Sequence, residues 1–297
     1  MAKKLKKARS LRHIVQIGTA AITNGYLEGF KTGSIYTGPL KVACVPGLNC
    51  YSCPGALGSC PIGSLQAVLS NRGYNFSFYV VGFLFVFGAL LGRFICGWLC
   101  PFGLVQDLLH KLPFYKKLKK LPGDKALRYL KYFILAAFVI LLPSVVLDIA
   151  GQGSPWFCKF ICPSGTLFAG IPLVAINSSL RPALGGLFVL KVSVLTLLLL
   201  LSLALYRPFC RYLCPLGAIY GLFNPIALYR FKVDKTACFN CGACQKACPI
   251  DIPVFKKPNS QECIRCGACR YACPVGAIHT TIERRAKKSG IEQVYVE

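Results

Sequence analysis

The apolar positions of this chain fall in long unbroken runs rather than in helical stripes or alternating pairs. Residues 76–95, 129–148 and 186–206 consist largely of Leu, Val, Ile, Phe, Ala and Gly. A helix that crosses a bilayer needs about 20 such residues, so each run predicts a span. A fourth run, residues 11–27, is shorter and is interrupted by Gln16, Thr19, Thr23 and Asn24. It reads as a span rather than a signal peptide, because no small-x-small cleavage site follows it. After residue 230 long apolar runs cease. The pattern predicts a mainly α protein. A polytopic transmembrane helical domain occupies residues 1–230, and a separate module occupies residues 231–297.

Composition agrees with a membrane protein. Only 15% of residues are charged, against roughly 25% in soluble domains, and the mean hydropathy is +0.54. The net charge of +25 would suit nucleic acid, but the basic residues cluster beside the apolar runs, so membrane lipid and not nucleic acid is the expected contact. Cytoplasmic loops carry the Lys and Arg excess. Six basic residues precede residue 13, eight lie between Lys111 and Lys131, and fourteen follow from Arg207 onward. The loops 28–75 and 149–185 hold only Lys31, Lys41, Arg72, Lys159 and Arg181. Four spans in the cytoplasmic membrane, with both termini in the cytoplasm, satisfy this distribution. The terminal module then lies where thiols stay reduced.

That module carries C-F-N-C-G-A-C-Q-K-A-C-P from Cys238 and C-I-R-C-G-A-C-R-Y-A-C-P from Cys263. Both have the C-x2-C-x2-C-x3-C-P spacing of two-cluster ferredoxins, in which the fourth Cys serves the other cluster. One 4Fe–4S cluster is expected on Cys238, Cys241, Cys244 and Cys273. The other is expected on Cys263, Cys266, Cys269 and Cys248. Gly242 and Gly267 are expected to let the backbone approach the clusters. Zinc also binds C-x2-C pairs, but a duplicated four-Cys run ending in Pro is the more specific signal, and it makes the module an α+β ferredoxin domain.

A second repeat lies in the first 230 residues. C-P-x-G recurs at Cys60, Cys100, Cys162 and Cys214, and three copies extend to C-x3-C-P-x-G, from Cys96, Cys158 and Cys210. Arg93 and Arg207 precede the first and last of these. Pro suits the first position of a helix, so each such Cys should sit at a helix N-terminus, where N–H groups favour negative charge. The predicted topology places Cys60 and Cys162 on the outer face and Cys100 and Cys214 on the inner face, a pseudo-two-fold duplication. An inner metal site is expected from Cys96, Cys100, Cys210 and Cys214. An outer one is expected from Cys158 and Cys162 with two of Cys44, Cys50, Cys53 and Cys60, the leading pair being Cys53 and Cys60. These would hold one or two further iron–sulfur clusters. Buried thiols, redox-active thiols or an outer disulfide are the alternatives. If both sites sat at the membrane surfaces, about 30 Å of hydrocarbon would separate them. His13, His110, Asp107, Asp148 and Glu28 read as interfacial or boundary residues, His279 as a surface or packing residue, and Gly151–Gly153 as a turn.

C-G-W-L-C-P-F-G and C-R-Y-L-C-P-L-G beside spans, followed by two ferredoxin motifs, resemble the membrane ferredoxins of the NapH type over residues 76–280. Related modules occur in the nitrous-oxide regulator NosR and in CcoG, an assembly factor for cbb3-type oxidase. The resemblance implies a membrane electron-transfer component linked to quinol oxidation, with quinone as its partner. The loop C-V-P-G-L-N-C-Y-S-C-P-G-A-L-G-S-C-P and the C-x3-C-P at Cys158 depart from the family and point to a redox path reaching the outer face. The expected function is single-electron transfer between a cytoplasmic electron-transfer protein and the quinone pool or an outer-face redox subunit, as the electron-transfer component of an oxidoreductase such as a quinol dehydrogenase. The alternative is an assembly factor that reduces a metal or thiol for another membrane enzyme. A redox-sensing regulator would need a sensory or DNA-binding domain, which the sequence does not display.

Overall fold

The computed structural model describes residues 2–70, 77–114, 117–148 and 152–283. Arg72, Lys116, Gly151 and residues 284–297 of the predicted ferredoxin module lie outside the described residues.

Helices dominate. Two are long and apolar enough to cross a membrane, Asp124–Val145 and Gly186–Ala204. Less than a quarter of each apolar window is buried within the protein, and Phe133, Leu141, Leu197 and Leu200 are each more than half exposed. Both helices thus keep a broad apolar surface off the core. The other expected spans come out differently. Of the run 11–27, residues 11–23 belong to the helix Ala2–Thr23, which is not among the spanning helices. The run 76–95 yields only Phe78–Leu91, about 21 Å long at 1.5 Å per residue. Gly92 ends it at φ +52°, and a Cβ there would meet Asn224 Oδ1 at 2.6 Å. A further apolar helix, Pro163–Ile176, begins at the Cys162-Pro163 pair, as the C-P-x-G repeat predicts. Among the described residues, two full-length helices stand where four spans are expected.

The Cys-Pro pairs start helices as their chemistry predicts. Pro101–Lys111 and Pro215–Phe223 begin with Pro at the first position. Cys100, Cys162 and Cys214 precede their prolines in extended conformation, and Cys60 precedes the helix Pro61–Ser70. The missing proline N–H is one the helix would leave unpaired in any case.

The C-terminal segment closes on a two-stranded antiparallel sheet, Phe231–Val233 with Ile278–Thr280, in the register Phe231 to Thr280. Its core of Phe231, Ile250, Ile252, Val254, Ile264 and Ile278 also takes in Tyr206 from the end of the second long helix. The two parts meet closely around Glu262–Arg265, and Lys120 also pairs with Asp251 at 2.5 Å. Ile264 lays its carbonyl over Gly97, where a Cβ would come within 2.2 Å of that oxygen. Trp98 Nε1 donates to the Arg265 carbonyl at 3.1 Å. Asn224 Nδ2 donates to the carbonyls of Ser260 and Cys263. Glu262 accepts from Arg93 at 2.9 Å and from Lys131 at 2.5 Å, and all three are buried. Burial alone would push the Glu262 carboxyl up, but Arg93 and Lys131 outweigh it and hold it below the ordinary value.

Candidate metal centres

None of the 18 cysteines is paired with another in the structure. Cys238, Cys241, Cys244 and Cys273 line one small pocket, together with Phe239, Phe255 and Pro274, and Cys241 is exposed. Cys248, Cys263, Cys266 and Cys269 lie within electrostatic reach of one another. The structure thus brings Cys273 to the first run and Cys248 to the second. Ala277 N donates to Cys273 Sγ at 3.3 Å. Burial pushes the free Cys263 thiol up to about 12, so a bound metal is what would make it a thiolate near neutral pH. Gly242 and Gly267 take φ of +72° and +80°. That left-handed backbone is one that glycine adopts at no steric cost.

A third group is Cys96, Cys100, Cys210 and Cys214, each at most 6% exposed and all within electrostatic reach. Its surroundings are polar where they need to be. Gly217 N donates to Cys214 Sγ at 3.4 Å and Gln106 Nε2 to Cys210 Sγ at 3.2 Å. Arg93 and Arg207, both 1% exposed, flank the group and bond the carbonyls of Cys210 and Cys96. Asp107 lies behind Arg207 and takes bonds from it and from Arg12. It is therefore a buried member of the site and not a boundary charge. Burial raises its carboxyl, but Arg207 and Arg12 prevail and hold it below the ordinary value.

A fourth group contains Cys60, Cys158 and Cys162, and its fourth member is Cys50. Cys53 is not part of it. Cys53 packs with Ala56 and Ala169 and donates to the Phe168 carbonyl at 3.4 Å. Gly165 admits Cys50, since a Cβ there would lie 3.1 Å from Cys50 Sγ. Cys44 also stands apart, with its thiol toward Ser64. The group opens onto a cavity of about 320 Å³ flanked by Lys159 and Lys191.

The third and fourth groups repeat one arrangement. Gln66 and Gln106 each follow a C-P-x-G cysteine by six residues. Gln66 Nε2 donates to Cys158 Sγ at 3.2 Å while its Oε1 accepts from Phe157 N. Gln106 does the same for Cys210 Sγ and Phe209 N. The two glutamines are absent from the expected site residues, although their matching offset was available in the sequence. The groups also share one buried core. Tyr220, fully buried, lies within reach of Cys96 and Cys100 on one side and Cys60 on the other.

Among the described residues no three His, Cys, Asp or Glu side chains converge tightly enough to share a single ion. A tetrahedral zinc holds every thiolate at about 2.3 Å. His13 and His110 belong to none of the four thiol groups; His110 packs its ring on Tyr206.

The comparisons with known proteins cover part of these cysteines; Cys50, Cys60, Cys238, Cys241, Cys244 and Cys248 lie outside the segments that the family models match. A family described as "4Fe-4S binding domain" matches residues 75–122, 132–173, 186–236 and 269–292, more than half of the chain. Its first three segments each contain one C-x3-C pair. A second family of the same description matches residues 257–279. An uncharacterized protein of Methanocaldococcus jannaschii is 32% identical over 183 residues, 58% of this chain and 65% of that protein. The ferredoxin-type protein NapH of Haemophilus influenzae is 32% identical over 180 residues, 58% of this chain and 53% of that protein. The methylamine utilization ferredoxin-type protein MauN of Paracoccus denitrificans is 30% identical over 173 residues, 57% of this chain and 53% of that protein. The matches thus span between half and two thirds of these relatives. No solved structure matches the chain. Family match, relatives and thiol geometry agree: the chain belongs to the 4Fe–4S binding, NapH-type membrane ferredoxin family.

Proposed function

We propose that the chain conducts electrons along four consecutive thiol groups, from the C-terminal module into the membrane part. Each group would hold a 4Fe–4S cluster, which when bound supplies one-electron redox chemistry. The residues supply ligation, spacing and local charge. The observation that carries this reading is the Ile264 carbonyl seated over Gly97. It sets the loop bearing Cys263 directly against the segment bearing Cys96. Tyr220 then links the Cys96 group to the Cys60 group. Lys159 and Lys191 beside the open cavity of the Cys60 group favour an anionic or electron-accepting partner there. The exposed apolar faces of the two long helices support placement in a membrane, with the basic loops and the C-terminal module on the cytoplasmic side. A soluble electron carrier at the Cys238 group and quinone or an outer-face subunit at the far end complete the proposal.

The test is a stepwise reduction of purified protein, followed by EPR at low temperature, in wild type and in a Cys96, Cys100, Cys210, Cys214→Ser variant. Wild type should show more than the two clusters a ferredoxin holds. In the variant the ferredoxin signals persist, while the Cys60 group no longer equilibrates rapidly with them. Wild-type iron content in the variant would refute ligation by these four thiols.

A further inference from the structure

A cavity of about 420 Å³ opens where the N-terminal helix, the helix Pro101–Lys111 and the loops bearing the Cys263 group meet. Cys248 and Cys266 stand on one side of it, and Arg9, Arg12, Lys111, Lys119 and Lys246 stand around it. Its one lining carboxylate, Asp107, is committed to Arg207 and Arg12. Arg9, Lys111, Lys119 and Lys246 form no ion pair among the described residues. Two lining residues are deeply buried, Arg12 at 6% and His13 at 8% exposure, and Arg12 Nε and His13 Nδ1 have no hydrogen-bond partner. Arg12 Nε is thus a buried donor without a partner, which an anion could satisfy, and the exposed cations around it make the cavity positive.

We propose that this cavity binds a phosphate-bearing anion beside the Cys263 group. Guanidinium and ammonium groups on several sides match the distributed oxygens of a phosphate. The same chemistry is offered by a soluble phosphate and by the headgroup of an acidic phospholipid. Either would place negative charge near Cys248 and Cys266, which disfavours the more negative, reduced state of a cluster held there and lowers its potential. The inference deepens the electron-transfer reading and rests on it only for that consequence; binding itself needs no cluster.

Calorimetric titration of the full chain in neutral detergent with inorganic phosphate tests the soluble source. Exchange through discs of phosphatidylcholine with a minor share of phosphatidylglycerol, followed by counting retained lipid, tests the headgroup. Binding in either arm, weakened roughly tenfold in a Lys111→Gln, Lys119→Gln variant and unchanged in a Lys256→Gln, Lys257→Gln control, supports the proposal. The absence of both phosphate binding and phosphatidylglycerol retention in wild type overturns it. Equal weakening in the control overturns it too, because attraction would then be diffuse. Iron content, measured on the same samples, reports separately on the electron-transfer reading.

Discussion

Arg93 and Arg207 cross over. Each stands three residues ahead of its own cysteine, yet each donates to the carbonyl of the other's, Arg93 Nη2 to Cys210 at 2.8 Å and Arg207 Nη1 to Cys96. The exchange clasps the two C-x3-C segments around one group of thiols. It also explains the glycine of C-P-x-G. A Cβ at Gly103 would stand 3.0 Å from Arg207 Nη1, and one at Gly217 would stand 3.3 Å from Arg93 Nη2. Each glycine is the seat for the arginine of the opposite half.

Arg93→Gln and Arg207→Gln should therefore both lower the midpoint potential of the Cys96 group, since a buried positive charge favours the more reduced state. Their structural costs differ in kind. Arg93→Gln leaves Glu262 with Lys131 alone and loosens the junction, whereas Arg207→Gln leaves Asp107 with Arg12 alone. Breaking a buried pair costs about 3–5 kcal/mol, visible in thermal melts. Unchanged midpoints in both variants, read by EPR redox titration, would detach the arginines from the group.

Gln66→Leu and Gln106→Leu make a matched experiment. Each removes one N–H donor from a sulfur and one acceptor from a buried backbone N–H. Each should cost about 1–3 kcal/mol and move the potential of a single group downward, the Cys60 group for Gln66 and the Cys96 group for Gln106. If either variant moved both groups equally, the bonds to sulfur would not be the cause.

Cys50→Ser and Cys53→Ser separate two thiols only three positions apart. Only Cys50 joins the Cys60 group. Cys50→Ser should remove about four iron atoms per chain, and Cys53→Ser should remove none. Iron analysis with both variants decides it, and the reverse outcome would redraw the group.

How much of this was legible beforehand depends on how local each rule is. Cysteine spacing in the ferredoxin runs and proline at a helix start act over a few residues, so those features could be read directly. Partner choice between distant thiols could not. Cys53 precedes Pro54 and looks like another Cys-Pro pair, but the path of the loop turns it toward Phe168 and delivers Cys50 over Gly165 instead. Asp107 looked like a boundary charge because its partners, Arg12 and Arg207, come from opposite ends of the chain. Composition over 76–95 is continuous, and only the left-handed turn at Gly92 shortens the helix. The offset of Gln66 and Gln106 was available as a repeat, but its meaning required knowing which sulfur each one faces.

Gly97→Val probes the junction. A Cβ at this position already overlaps the Ile264 carbonyl, and that backbone is held by Asn224 and Trp98, so it has little freedom to retreat. The C-terminal module should undock while keeping its own iron. Faster limited proteolysis between Phe223 and Phe231, together with slower reduction of the membrane groups, is the expected outcome. Wild-type rates of both would show that the contact carries no coupling.

The four groups also impose an order on how the protein comes into being. Each is closed by thiols distant in sequence: Cys50 with Cys162, Cys96 with Cys214, Cys238 with Cys273, and Cys248 with Cys269. During synthesis the first becomes complete when residue 162 has emerged, and the second only after residue 214. No nascent half can close a group alone. The set is therefore finished from the N-terminus onward, and a chain cut short before Cys210 exposes Cys96 and Cys100 as stranded thiols, open to oxidation.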